Sequence, residues 1–427
     1  SHVNHPFDLG EAPLLKVEII SFNDAHHLLL FNLHHIVGDG WSMEILSREI
    51  VAQYNHLKQA TGIALPDLPI QYKDYAHWYN SVPNQEKLAE SGSYWREQFT
   101  GNLPVLELLT TATRPKVKTY NGDSNSHAFS IDFITKLKGF CQQHQATLFM
   151  AVMAGLNGLF YRYNGQTDII LGTPVAGRDY PDLEDQIGLY LNTLAIRTRF
   201  EVTDTYGSLV KKQKKVLLEG YENQSYPFDV LVEELGLKRD LSRSALFDVM
   251  VVLHNQQDLF SKEETFEEIT IAPYKKIQKN TSQFDLSFSF AEGNESLNLT
   301  LNYNTDIYTK GFVQKLVHYL EKFISEGIEK PNDSIAKIDF VPSDEKQRLL
   351  HTYNATNRAY QENRTIVDLV NAQMRKTPEA IALVCEDKTI TYKALSEKSN
   401  QLAHYLLEQC SVRPGDFVGI KVKRDEW

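Results

Sequence analysis

One stretch of the sequence combines residue types and spacing that can do chemistry: His34-His35-Ile36-Val37-Gly38-Asp39-Gly40. Imidazole titrates near about 6.5, so at neutral pH a histidine can take a proton from an amine or hydroxyl nucleophile. Asp39, four residues after His35, is placed to pair with an arginine and fix the loop, and Gly38 and Gly40 permit tight backbone turns beside a substrate. Neighbouring side chains of a strand point to opposite faces, so one of His34 and His35 is expected to be chemical and the other structural. The same opposite facing leaves too few local ligands for a metal shared with Asp39. The dipeptide His26-His27 lacks the following Asp-Gly and reads as a polar strand start, which shows how little His-His means by itself.

The elements that must hold this stretch can be read around it. Leu14 to Phe22 and His27 to His35 are rich in large apolar or β-branched residues and flank Asn23-Asp24, a turn pair, which predicts a β-hairpin. After Gly40, the apolar residues Leu46, Ile50, Tyr54 and Leu57 recur at helical spacing, with Ser42 placed to cap the helix start. The heptapeptide is therefore expected on a strand-to-helix loop. Helical patterns around 71–80, 84–99, 132–164 and 207–236 alternate with strand-like runs at 167–173, 246–253, 284–290 and 296–303, which predicts a layered α/β fold. In Tyr226-Pro227-Phe228-Asp229, Pro227 suits a first helical turn and Asp229 the positive helix end. Trp78 is expected to pack a helix.

With 427 residues, 42% of them hydrophobic, the chain can build two or three folding units. A turn-rich, polar stretch follows Phe340, so the expected organisation is a first domain over 1–340, a linker over 341–363 and a second unit over 364–427. In that second unit a helix near 366–376 precedes a strand pair within 380–391, turning at Glu386-Asp387-Lys388. A helix from Tyr392 to Gln409 and a strand from Asp416 to Val422 follow. Three scattered cysteines, Cys141, Cys385 and Cys410, fit neither a disulfide framework nor a zinc site, and point to a reducing compartment. No apolar run approaches the roughly 18–20 residues that span a bilayer, and no signal peptide opens the sequence, so the expectation is a cytoplasmic protein without a membrane partner. A net charge of -11 argues against nucleic acid.

His34-His35-x-x-x-Asp39-Gly40-Trp41-Ser42 resembles the signature of condensation domains of non-ribosomal peptide synthetases, relatives of chloramphenicol acetyltransferase. The heptapeptide alone is shared by several acyltransferase families. Specificity comes from further motifs in the family's order: Tyr72 to Trp78, Ile187 to Thr193, Asn223 to Asp229, and Arg239 to Phe247. Independently, Thr389-Ile390-Thr391-Tyr392-Lys393-Ala394-Leu395 and Val412-Arg413-Pro414-Gly415-Asp416 resemble the start of an adenylation domain, the usual successor of a condensation domain. The family's opening motifs are expected upstream of Ser1 and the adenylation core motifs downstream of Trp427.

The resemblance implies a two-lobed chloramphenicol acetyltransferase-like α/β fold, with the remainder of an N-lobe over about 1–125 and a C-lobe over about 126–340. It implies amide formation between donor and acceptor aminoacyl thioesters, each carried on a phosphopantetheine arm by a partner carrier domain. No resident cofactor or metal is implied for this chain; ATP and Mg belong to a complete adenylation domain. The catalytic stretch would comprise His35, His34, Asp39 and Gly40, with His35 the catalytic histidine and His34 in support. Asp39 would form a structural salt bridge, for which Arg178 is the candidate partner; Trp41 is a candidate to line the substrate tunnel, and Asn192 either lines it or ends a strand. Aspartate-rich replacement of the histidines, which marks heterocyclising relatives, is not seen. Ser42-Met43-Glu44 stands where epimerising relatives continue with Ser-Trp-Arg. The rival readings are an acyltransferase with a free alcohol or amine acceptor, disfavoured by the adenylation-like tail, and a catalytically silent docking module.

Overall fold

The computed structural model describes residues 7–59, 65–108, 112–238, 240–255, 269, 281–293, 295–359 and 363–423, so Arg239 of the fourth motif lies outside the described residues. The chain divides into two compact units, Ser1–Lys346 and Gln347–Trp427.

The first unit opens with the expected hairpin, β1 (Leu15–Asn23) against β2 (His26–Leu33), antiparallel with Leu15 opposite Leu33. Asn23 closes its turn by accepting the amides of Ala25 and His26 at 2.9 and 2.8 Å, the local bonding that makes asparagine a turn residue. Helices α1 (Gly40–Gln59), α2 (Tyr72–Tyr79) and α3 (Val82–Gln98) follow. The buried apolar positions of α1 are Ile45 and Val51, whereas Leu57, one of the apolar residues at helical spacing, is 79% exposed.

A six-stranded mixed sheet in the order β3-β8-β7-β6-β4-β5 forms the rest of the unit. Its strands are β3 (Gly122–Ala128), β4 (Asp168–Val175), β5 (Asn192–Arg199), β6 (Val249–Asn255), β7 (Leu286–Glu292) and β8 (Leu297–Asn304). Pairing is parallel for β4 with β6 and β6 with β7, and antiparallel elsewhere. Buried and half-buried residues alternate along β7 and β8, as for a sheet covered on one face. Helices α4 (Ile131–Gln143), α5 (Leu148–Asn164), α6 (Tyr206–Glu222) and α8 (Lys310–Glu329) pack together around the core, with the short α7 (Phe228–Glu234) beside β5.

Two long helical patterns turn out to be pairs of helices. The run 132–164 breaks at His144–Thr147, where Gln145 is left-handed (φ 49°) and the Thr147 hydroxyl accepts the Met150 amide, starting α5 afresh. The run 207–236 breaks before Pro227, which has no amide to continue a ladder and stands immediately ahead of α7, with Asp229 in the first turn. All thirteen residues from Leu148 to Phe160 of α5 are buried, and its glycines make room for α8. A Cβ on Gly158 would lie 2.5 Å from Phe323 Cζ, and one on Gly155 2.7 Å from Ile324 Cδ1.

The stretch expected as a linker carries α9 (Ser343–Gln347) and a π-helical turn over Arg348–Thr352. In the second unit, α10 (Ile366–Lys376), β9 (Ile381–Cys385), β10 (Lys388–Thr391) and α11 (Tyr392–Glu408) take the expected positions, with a capping box between Thr365 and Asp368. The expected strand over 416–422 does not form. No neighbouring strand among the described residues offers it a ladder, and Phe417 and Ile420 are exposed. No described helix is long and apolar enough to cross a membrane.

Gly158→Ala should lower the stability of the full chain by about 1–3 kcal/mol, because Phe323 has to leave its packed position. Denaturant unfolding measures this, and an unchanged midpoint would show that α5 and α8 are not held in such close contact.

Candidate functional site

The hairpin delivers the heptapeptide, but the strand stops one residue short of it. After Leu33 the His34 amide donates to Leu14 O at 3.0 Å, and the chain then turns into a single 3-10 turn, His35–Val37. Strand alternation therefore does not separate the two histidines. Their hydrogen bonding does: His34 Nδ1 accepts the Ile36 amide at 3.1 Å and caps the turn, and its half-buried ring lies edge-on to Phe7. His35 is exposed, and among the described residues no side chain or backbone group bonds its imidazole. His26 and His27 contact Asn23 and Ser21 at the hairpin turn, in keeping with a polar strand start.

Neither glycine of the loop has a left-handed backbone, so turn geometry is not what they supply. Gly38 is extended, and a Cβ there would lie 2.5 Å from Leu33 Cδ2. At Gly40 an added Cβ would meet nothing within 4 Å, so the protein itself makes no steric demand for glycine there.

Asp39, not Ser42, caps α1. Its Oδ1 accepts both the Ser42 amide and the Ser42 hydroxyl at 2.8 Å, and its carbonyl accepts the Met43 amide. Its other oxygen accepts the Tyr190 amide at 3.2 Å. Arg178 Nη2 reaches Oδ1 at 3.2 Å, with both side chains essentially removed from solvent (1% and 2% exposed), so the expected partner is in place. Arg178 is fixed in turn by the carbonyls of Leu183 and Gln186, and its guanidinium lies 4.3 Å from the Tyr190 ring. Burial would raise the Asp39 carboxyl, but the Ser42 and Tyr190 hydrogen bonds and the Arg178 charge outweigh it, holding Asp39 below the ordinary 3.8.

Ser42, expected to cap the helix start, is instead a hub of this network. Its oxygen accepts from the Gly188 amide at 3.1 Å and from Arg178 at 3.2 Å, and its proton faces Asp39 or the Gly188 carbonyl. Two glycines permit this approach. A Cβ on Gly177 (φ 63°) would overlap Tyr190 O at 2.0 Å, and one on Gly188 would lie 2.4 Å from the Tyr72 ring. Behind them Tyr72 donates to Leu189 O, Tyr75 packs on Tyr190, and the Tyr190 hydroxyl, its pKa pushed up to about 12 by burial, donates to the buried Gln186. Type alone gave no signal for Gln186 or for the Tyr190 amide, since both act through distant partners.

The two tunnel candidates differ. Trp41 is 43% exposed, with its indole N–H tied to Glu184 O at 2.8 Å. The Asn192 amide is fully engaged by backbone: Nδ2 donates to Gln224 O and Tyr226 O at 2.7 Å, and Oδ1 accepts the Thr193 and Phe228 amides. It fastens the segment before α7 and has no polar group left for a substrate. Trp78 packs edge-on against Tyr180 at the rim of a cleft of about 270 Å³ that Tyr75 and Leu183 also line. A larger cleft of about 590 Å³, beside His144 and the lysines of α6, holds none of these groups.

The chain matches the condensation domain model over residues 1–350 and the AMP-binding enzyme model over 370–425. It is 36% identical over 419 residues to bacitracin synthase 1 of Bacillus licheniformis and, likewise, 36% identical over 419 residues to gramicidin S synthase 2 of Brevibacillus brevis. Both alignments take in 98% of the chain but only 8% and 9% of those proteins. Among solved structures it is similar to a four-domain nonribosomal peptide synthetase bound to AMP and glycine (TM-score 0.78, 21% identity, 96% of this chain and 31% of that one). It is also similar to the X-domain from teicoplanin biosynthesis (TM-score 0.72, 20% identity, 80% and 77%). The chain belongs to the condensation-domain family, with the beginning of an AMP-binding enzyme domain after it.

Proposed function

We propose that this chain forms peptide bonds between two aminoacyl groups held as thioesters on the phosphopantetheine arms of separate carrier domains, within a longer synthetase. One observation carries the reading: an exposed imidazole at His35, with no bonding partner among the described residues, stands on a loop whose far end is locked by the buried Asp39–Arg178 pair. The acceptor amine attacks the donor carbonyl carbon, the new C–N bond forms, the C–S bond breaks, and His35 carries the ammonium proton to the departing thiolate. Both substrates being tethered, approximation supplies up to roughly 7–11 kcal/mol, and the base adds about 10²- to 10⁴-fold. His35 thus orients the amine and relieves its proton, while His34 holds the turn. The open space at Gly40 suits a substrate backbone, and exposed Trp41 is the remaining candidate for the tunnel wall. Adenylation and carrier domains are its partners in this reading, and the condensation unit ends between the expected residue 340 and the division at Lys346.

In an intact module supplied with loaded carriers, His35→Ala should slow product formation by about 10²-fold or more without changing the melting temperature. Condensation at the unaltered rate would remove His35 from catalysis.

Gly40→Ala should keep or slightly raise the melting temperature, because alanine suits a helix and meets nothing there, while weakening turnover. Full activity would mean that no substrate approaches Gly40.

Asp39→Asn should destabilise the fold by about 3–5 kcal/mol by leaving Arg178 buried with no counter-charge. The Asp39 carboxyl is depressed in the folded chain, so its contribution is complete above the unfolded value, near 3.8, and is lost as pH falls through the lower folded value. The stability gap between wild type and variant should stay constant from neutral pH to about 5 and close below 3.8. A stable but slow variant at pH 7 would count against the structural role.

A further inference from the structure

Away from the heptapeptide, three metal-capable side chains converge among the described residues: His127, His318 and Glu321, with their ligand atoms all within 4.8 Å of one another. They come from two elements. His127 stands near the end of β3, the edge strand of the six-stranded sheet, which among the described residues pairs with β8 alone. His318 and Glu321 are three apart on α8, so one helical turn sets them side by side. His127 Nε2 and Glu321 Oε2 are already 2.9 Å apart, and the His318 ring lies edge-on to His127 with centroids at 5.2 Å. The buried Phe129 ring backs His127 from below at 4.8 Å. His127 and Glu321 are mostly shielded, at 18% and 25% side-chain exposure, and His318 faces solvent.

We propose that His127, His318 and Glu321 form a site for a divalent first-row transition metal, Zn(II) above all, that clamps the edge strand β3 to helix α8. Two imidazoles and a carboxylate are the donor set that such ions prefer over Mg or Ca, and three protein ligands leave a fourth tetrahedral position for water. Ligand atoms around zinc sit about 3.3 Å apart. The His127–Glu321 pair, at 2.9 Å, has to open only slightly to reach that spacing, and rotation of the exposed His318 side chain closes the rest. On binding, the ring proton that His127 Nε2 directs at Glu321 is exchanged through solvent to Nδ1, so that neutral Nε2 and the carboxylate oxygen both become ligands. The role is structural and independent of the reading given for His35. It departs from the expectation of a chain without resident metal, because the set is assembled across 194 residues of sequence, from His127 to Glu321.

The test uses the full chain stripped of metal with a chelator and titrated with ZnCl₂ by calorimetry and thermal melting, and with CoCl₂ as a visible reporter. One equivalent should bind, raise the melting temperature, and give Co(II) bands typical of nitrogen and oxygen donors. His318→Ala, a change at an exposed position, should weaken Zn(II) binding at least about 10- to 100-fold and abolish the thermal gain while leaving the metal-free melt unchanged. Glu321→Gln should behave alike. Equal Zn(II) affinity in wild type and His318→Ala, the absence of a melting shift, or a Co(II) spectrum dominated by thiolate charge transfer from Cys385 or Cys410 would each overturn the proposal.

Discussion

A carboxylate removed from water organises this site. Asp39 is 4% exposed, and a buried charge of that kind persists only where hydrogen bonds and an opposite charge replace its hydration. Two amides, a hydroxyl and a guanidinium do so here, and together they tie Asp39 to three parts of the chain: the first turn of α1 through Ser42, the 186–190 segment through Tyr190, and the Gly177–Arg178 turn. The neighbouring groups are constrained by the same need. Arg178, equally buried, has to spend its donors on the Leu183 and Gln186 carbonyls, and Gly177 and Gly188 have to lack side chains for those carbonyls and amides to come near.

The consequence for chemistry is a division between a rigid base and a free tip. Gly38 and Asp39 are buried and Asp39 is bonded on both oxygens, whereas His35, Ile36 and Val37 at the crest of the loop are exposed. His34 stands at the border, with its ring nitrogen already taken by the Ile36 amide. An imidazole that contributes by placement needs such a mount, since approximation is lost when the group wanders by about an ångström.

How much of this was legible depended on how local its cause was. The hairpin could be read because Asn23 bonds its own turn, and α10 because Thr365 and Asp368 cap it within four residues. The Asp39–Arg178 pairing was reachable only through the family resemblance, since 139 residues separate the two. Ser42 was misassigned because both Asp39 and Ser42 are good capping types, and the choice between them is made by Gly188 and Arg178 from outside the helix. The run 132–164 looked continuous because α5 is apolar all round, which erases the periodicity that would have marked its start. The strand β3, GDSNSHA, escaped because an edge strand needs little apolar surface, and the strand expected over 416–422 lacked the neighbour that a ladder requires.

The long reach of the Asp39 network has a bearing on how the protein is made. Every group that holds Asp39 from beyond α1 lies between Gly177 and Tyr190, so a nascent chain has to be extended well past the 34–40 loop before that loop acquires a fixed shape. Until then the growing polypeptide carries the Asp39 carboxylate without its Arg178 and Tyr190 partners. The order of synthesis thus places fixing of the 34–40 loop after translation of the segment that joins β4 to β5, a dependence set by connectivity alone.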